Sequence, residues 1–209
     1  MTSDNKLTSL TQAQQRIHAA AVKLFAERGA TQVNVTDLAQ AAGVARGTIY
    51  NNLVNPESLF EEVAAELAQE MNLRVTAGFG QTLDPAARLT QGIRHYIRRA
   101  HEEPHWGRFF CRFAFNNATL QKVWEGQPVI DLMEGQRSGR FVFRPEQVGS
   151  VINMLAGTVL GGMFLVLEGV KTWRDASSDG AELMLVALGV PRAEARTLAA
   201  ADQPGDRRN

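Results

Sequence analysis

The chain has 209 residues, 44% of them hydrophobic, with 22 basic and 22 acidic side chains and no formal net charge. That length allows a small head plus a larger unit with its own core, and the charge balance excludes compaction of nucleic acid through a broad positive field. A single cysteine excludes an internal disulfide, and the polar residues 1–10 lack the apolar core of a signal peptide, so the expected location is the reducing cytoplasm.

Ile17, Ala20, Ala21, Leu24 and Phe25 recur at i, i+3, i+4, i+7 and i+8, which predicts a helix with one apolar stripe ending at Gly29. Asn34, followed three residues on by Asp37, opens a second helix through Ala42, and Gly43 ends it where a left-handed backbone is needed. A third helix over residues 45–53 carries Arg46, Thr48 and Asn51 on one side and Val44, Ile49 and Leu53 on the other. Two short helices joined by a glycine turn make a helix-turn-helix, whose second helix enters the major groove of DNA. The first helix braces the pair.

Asn55-Pro56-Glu57 restarts the chain as a fourth helix, with an N-cap, a proline at the first helical position and an acid in the first turn. It is expected to run to residue 76 and to meet a domain break at Gly78-Phe79-Gly80. Helices are expected at 84–103, 104–115, 118–134, 144–171, 179–188 and 191–201, with a loop or short extended piece at 135–143. There is no repeat and no alternation of strand and helix, so the fold class is all-α. The organisation read from this is a flexible tail at 1–10, a helix-turn-helix head at 11–60 and a connecting helix at 61–78. A helical regulatory and dimerisation domain follows at 79–201, with a flexible tail at 202–209.

Two segments carry a family likeness: Ala20-Ala21-Val22-Lys23-Leu24-Phe25-Ala26-Glu27-Arg28-Gly29 and Ala42-Gly43-Val44-Ala45-Arg46-Gly47-Thr48-Ile49-Tyr50. At this spacing the chain resembles the TetR family of bacterial repressors. The resemblance implies that Thr48 and Tyr50 touch the DNA backbone, while Thr36, Arg46, Gly47 and Asn51 lie near base edges. The residue types suit those roles, since Arg forks onto guanine, Asn pairs with adenine, and hydroxyls donate to phosphate. Tyr50 and Thr48 also read as partly packed inside the three-helix unit. Three positions depart from the pattern: Ala45 stands where a Ser or Thr caps the recognition helix, Leu53 replaces a Phe, and Pro56 replaces a phosphate-reaching Lys. Residues 11–56 carry only Arg16, Lys23, Arg28 and Arg46 against Glu27 and Asp37, so affinity is expected to come from dimerisation and aimed contacts.

Between residues 151 and 167 only Asn153 and Thr158 interrupt an apolar run that also holds Gly157 and Gly161 at G-x-x-x-G spacing. Such a run resembles a membrane span, but it is slightly short and stands alone. A helix apolar nearly all round must instead be covered nearly all round, here by its own domain on one side and a second subunit on the other. Leu183, Met184, Leu185, Val186 and Leu188 form its natural companion, and the resemblance implies a homodimer built from the last two long helices.

The resemblance also implies a small-molecule pocket, for which Trp106, Phe109, Phe110, Phe113, Met133, Asn153 and Met154 are the candidate lining residues of an apolar or aromatic effector. Aromatics at helical spacing equally read as ordinary core. No cofactor and no metal is expected. His101-Glu102-Glu103-Pro104-His105 matches the zinc-peptidase pattern, but Pro104 forbids the unbroken helix that pattern requires. Cys111 beside Arg112 raises redox sensing as an alternative control. The expected protein is a homodimeric repressor without catalytic residues, bound to a palindromic double-stranded operator and released by a small effector. Control by redox state or a protein partner is the alternative, and a metal-dependent hydrolase the remote one.

Overall fold

The computed structural model describes residues 11–53, 55–78 and 84–201, and every regular element among them is helical. In chain order these are α1 (Gln12–Arg28), α2 (Val35–Ala42), α3 (Arg46–Asn52), α4 (Leu59–Gly78), α5 (Pro85–Glu102), α6 (Pro104–Phe113), α7 (Ala118–Glu125), α8 (Gln127–Arg137), α9 (Val148–Leu167), α10 (Trp173–Ala187) and α11 (Arg192–Ala200). The chain divides into two compact units between Val63 and Ala64, inside α4. The tails at 1–10 and 202–209, and Phe79-Gly80 of the expected break, lie outside the described residues.

In the N-terminal unit, a capping box between Thr11 and Gln14 starts α1, and Gly29 at φ 68° stops it. Its apolar stripe is the core of the unit, with Ile17, Ala21 and Phe25 fully buried and Phe25 meeting Phe60 edge to face at 5.0 Å. Asn34 caps α2 through the Thr36 N–H, and Gly43 at φ 62° ends it. Arg16 then donates to the Ala42 and Gly43 carbonyls, at 2.7 and 2.8 Å, satisfying acceptors that the end of α2 leaves open. Thus α1 fixes the turn by a charge-assisted bond as well as by packing.

The C-terminal unit is organised around α5, which packs on α6, α8, α9 and α10. The single helix expected over 118–134 is two, because Pro128 has no N–H and would clash with the Trp124 carbonyl in a continuous helix; the chain turns at Gly126 instead. α8 then continues into the expected loop, as Gly135 has no Cβ and the Phe141 ring packs directly against it. α10 starts earlier than expected, at Trp173, where the Thr172 hydroxyl accepts from the Asp175 N–H. The segment expected as one helix over 144–171 is a 3-10 turn at Pro145–Gln147 followed by α9.

α9 has two faces. Val151, Leu155, Val159 and Met163 are buried within the unit, whereas Met154, Gly157, Gly161 and Phe164 form an exposed stripe. With its leading turn this helix is long and apolar enough to cross a membrane by length and composition, yet it packs on α5, α6, α8 and α10. Gly162 lets α5 approach, since a Cβ there would stand 3.1 Å from Ile97 Cγ1.

Candidate nucleic-acid interface and effector cavity

α3 is anchored by fully buried Ile49 and by Leu53, while Arg46, Gly47, Tyr50 and Asn51 are exposed and Thr48 is half-buried. Tyr50 is 56% exposed, so its partly packed reading gives way to a ring offered to solvent. A Cβ built on Gly47 meets nothing within 4 Å, which leaves the helix backbone open to close approach. Arg46 has no intramolecular partner among the described residues, so its guanidinium is not committed inside the unit. Thr36 is exposed in the first turn of α2. The neighbouring Asn52 is engaged internally, donating to the Thr48 carbonyl at 2.8 Å. Ala45 gives α3 no side-chain cap, and Pro56 occupies the first turn after Asn55, whose Oδ1 accepts from the Glu57 N–H at 3.0 Å.

The C-terminal unit contains a cavity of about 30 Å³ lined by Val75 of α4, by Arg88, Leu89, Gly92, Ile93 and Tyr96 of α5, by Trp124 of α7, by Gln127, Pro128 and Asp131 at the start of α8, and by Leu155 and Val159 of α9. Tyr96 and Trp124 stack at 5.4 Å with 26° between their planes. A buried ion pair edges the cavity: Arg88 Nε donates to Asp131 Oδ1 at 2.7 Å, and Arg88 Nη2 donates to Glu134 Oε2 at 2.5 Å. Gln127 Nε2 donates to the same Asp131 Oδ1 at 2.9 Å. Burial pushes the Asp131 carboxyl above its ordinary range, against the opposing pull of Arg88 and Gln127.

Behind the cavity wall lies an ion network that holds α4 to α5 and α6. Arg99 donates to Glu70 at 2.8 Å and to Glu103 at 3.1 Å, and its guanidinium stands 4.4 Å from the Trp106 ring centroid. Arg74 bridges the same two acids, at 2.6 Å to Glu70 and 3.1 Å to Glu103. Burial would raise the Glu70 carboxyl, but its bonds to Arg99 and Arg74 outweigh that and hold it below its ordinary value.

The residues expected to line a pocket do not border this cavity. Trp106, Phe109, Phe110 and Phe113 are buried and pack in sequence at 4.5, 6.4 and 5.2 Å, one layer behind Tyr96 and away from the cavity surface. Met133 is half-buried on α8 and does not line the cavity. Asn153 and Met154 fall on the exposed stripe of α9, where Asn153 Nδ2 donates to the Gly149 carbonyl at 2.9 Å. These aromatics lie in the same unit as the cavity without lining it, because spacing along one helix does not say which neighbour is left unfilled. A signal was present in Gln127, Asp131 and Glu134, which share a face of α8, and in Arg88 set within the apolar stripe of α5.

The bacterial regulatory proteins, tetR family model matches residues 17–63, and the tetracyclin repressor-like, C-terminal domain model matches residues 84–201, more than half of the chain. The chain belongs to the TetR family. A solved structure of RolR in complex with resorcinol is 26% identical over 92% of this chain and 95% of that one, with a TM-score of 0.68. FadR from Bacillus subtilis in complex with stearoyl-CoA is 21% identical over 83% of this chain and 98% of that one, with a TM-score of 0.68, and shares the fold. Among curated proteins, the uncharacterized HTH-type transcriptional regulator Rv1255c of Mycobacterium tuberculosis is 26% identical over 92 residues, 44% of this chain and 46% of that protein. The chain thus spans about half the length of the curated relatives it matches.

This TetR-family protein is a transcriptional regulator and not an enzyme. Its HEEPH segment is the corner between α5 and α6: Glu102 pairs with Arg98 at 2.8 Å, Glu103 with Arg99, and Pro104 begins the next helix. Among the described residues no cluster of His, Cys, Asp and Glu could hold a metal ion. Cys111 Sγ lies 3.7 Å from the Leu160 carbonyl, and burial pushes its thiol up to about 11, away from a reactive thiolate. The adjacent Arg112 does not reverse that effect.

Proposed function

We propose that this regulator is a homodimeric, cytoplasmic repressor that binds a palindromic operator and is released by a small aromatic effector. The observation that carries the reading is the continuity of α4: it begins in the DNA-binding unit and supplies Val75 to the cavity wall, with Glu70 and Arg74 tied to Arg99 and Glu103. A ligand that favours an enlarged cavity must move its walls, and α4 is one of them. Release is then a population shift, in which the effector binds best to a dimer whose two recognition helices no longer match successive major grooves. The likeness to RolR, solved with resorcinol, supports a compact aromatic effector.

Dimerisation is supported by the exposed stripe of Met154, Gly157, Gly161 and Phe164 on α9 and by Leu183 and Val186 on α10. Apolar residues concentrated on two adjacent long helices are best explained by a second copy of this chain, and small residues at Gly157 and Gly161 permit close helix approach. The test is to select a duplex from random DNA with the full chain and then measure anisotropy on it with and without single-ring aromatics. A palindromic duplex bound by a dimer and released by such a compound is expected. Full-affinity binding of a monomer to one half-site refutes the operator model.

A further inference from the structure

We infer that Arg16 is a positioning residue for DNA recognition: its guanidinium pins the glycine turn between α2 and α3 and thereby sets the angle at which α3 is offered to the duplex. This deepens the operator reading proposed above and rests on it only for the existence of sequence-selective binding.

Three observations lead there. Arg16 projects from α1, outside the turn, yet its Nη2 donates to the Ala42 and Gly43 carbonyls at 2.7 and 2.8 Å, one N–H to each. The guanidinium thus sits at the negative end of the α2 dipole, and both bonds are charge-assisted. Little else fixes the start of α3: Ala45 gives it no side-chain cap, and it is only seven residues long, so it takes its orientation from its surroundings. Buried Ile49 and Leu53 hold its rotation, but they lie at its centre and far end and leave the turn to set its tilt. The turn is also shaped around Arg16, since a Cβ at Gly43, where φ is +62°, would stand 2.7 Å from Nη2.

Base reading is sensitive to that tilt. A helix of seven residues is about 10 Å long, so a swing of about 10° at the turn carries its far end about 2 Å. Hydrogen bonds form over a span of only about 0.5 Å in donor–acceptor distance. Attraction to phosphates tolerates such a displacement, whereas contacts to base edges do not. Loss of Arg16 therefore lowers selectivity, while loss of a side chain that binds phosphate would weaken all sequences alike and reduce the salt dependence.

The experiment selects a motif from random duplexes with the full chain, then measures the ratio of motif to scrambled-duplex affinity by anisotropy across a salt series. Wild type, Arg16→Met, Arg16→Lys, Gly43→Ala and the Arg16→Met/Gly43→Ala double variant are compared, with circular dichroism reporting that each is folded. Met keeps the apolar stem of Arg16 and removes the donors. Arg16→Met should lower the ratio by about tenfold per half-site, the size of one charge-assisted hydrogen bond, and leave scrambled-duplex binding and its salt slope unchanged. Arg16→Lys keeps the charge on a stem one bond shorter and should recover part of the ratio. The methyl of Gly43→Ala displaces the guanidinium and should reproduce the loss; because the clamp is then already gone, the double variant should be no less selective than Gly43→Ala alone. Equal weakening on motif and scrambled duplex with a shallower salt slope makes Arg16 a phosphate ligand and overturns the positioning role, as does a double variant whose two losses multiply. An unaltered ratio in folded Arg16→Met overturns that role alone. A motif that is not palindromic refutes the operator reading and leaves the test of Arg16 intact, and selection of no motif by wild type overturns both.

Discussion

Replacing Arg88 by Met should destabilise the C-terminal unit severely, and the reason lies in what remains behind. The Arg88 and Asp131 side chains are 10% and 2% exposed, with Nε and Oδ1 2.7 Å apart. Met matches the length and apolar stem of Arg88, so the packing loss is small, but Asp131 is left buried without its cation and with Gln127 as its single donor. Removing one partner of a buried pair costs about 3–5 kcal/mol, and for a chain of this size that lowers the melting temperature by about 6–20 °C. The second bridge adds little, because Glu134 is 46% exposed and its pairing is screened by water. Adding Asp131→Leu to Arg88→Met should restore most of the loss, as the uncompensated charge is then gone. Protonation supplies a sign check. Burial already raises the Asp131 carboxyl, and without Arg88 it rises further; a carboxyl whose folded value is raised contributes stability at low pH that is lost as pH rises. The deficit of Arg88→Met should therefore be smaller near about pH 5 than near about pH 8. Differential scanning calorimetry of wild type, both single variants and the double variant at both pH values is the assay. A single variant within about 1 kcal/mol of wild type at both pH values refutes the reasoning.

Arg46→Ala should lose discrimination at one base pair of each half-site by about 1–3 kcal/mol, read by anisotropy on single-base operator variants, whereas Tyr50→Phe should weaken all sequences evenly. A glutamate at Gly161 or Leu183 should convert the dimer to monomers in analytical ultracentrifugation, because each would be desolvated without a partner; an intact dimer in both removes the proposed interface. Leu185 is unsuited to that test, being fully buried within its own protomer. Cys111, with its thiol raised to about 11 by burial, should resist alkylation by iodoacetamide in the folded protein near about pH 8 and react on unfolding. Operator release that depends on reductant would contradict this.

Much of the architecture is written locally. Gly29 and Gly43 end α1 and α2 at positive φ, Asn34 and Asp84 accept from first-turn N–H groups, and the stripe from Ile17 to Phe25 is buried as its spacing requires. Where local rules competed, the elements shifted. Pro128 divided the helix expected over 118–134, and a capping Thr172 began α10 six residues before the expected start. The exposed side of α3 was legible too: Arg46, Gly47, Tyr50 and Asn51 fall on it because buried Ile49 fixes the helix rotation.

The cavity of the C-terminal unit was not legible in that way. A cavity is the space that several helices fail to fill, and its walls come from α4, α5, α7, α8 and α9 at once. Trp106 and Phe110 carry the same aromatic signal as Trp124, yet only the fold decides that the first two pack into one another while Trp124 borders open volume. The pairing of Arg88 with Asp131 spans 43 positions, so no periodicity on either helix reports it. The sequence by itself determined the helices, their caps, the glycine turn and the face that α3 leaves open, since each depends on backbone stereochemistry and side-chain spacing within a few residues. The tertiary structure alone decided which buried charge meets which, which aromatic borders the cavity, and which side of α9 remains uncovered, because those are properties of contacts between helices far apart in the chain.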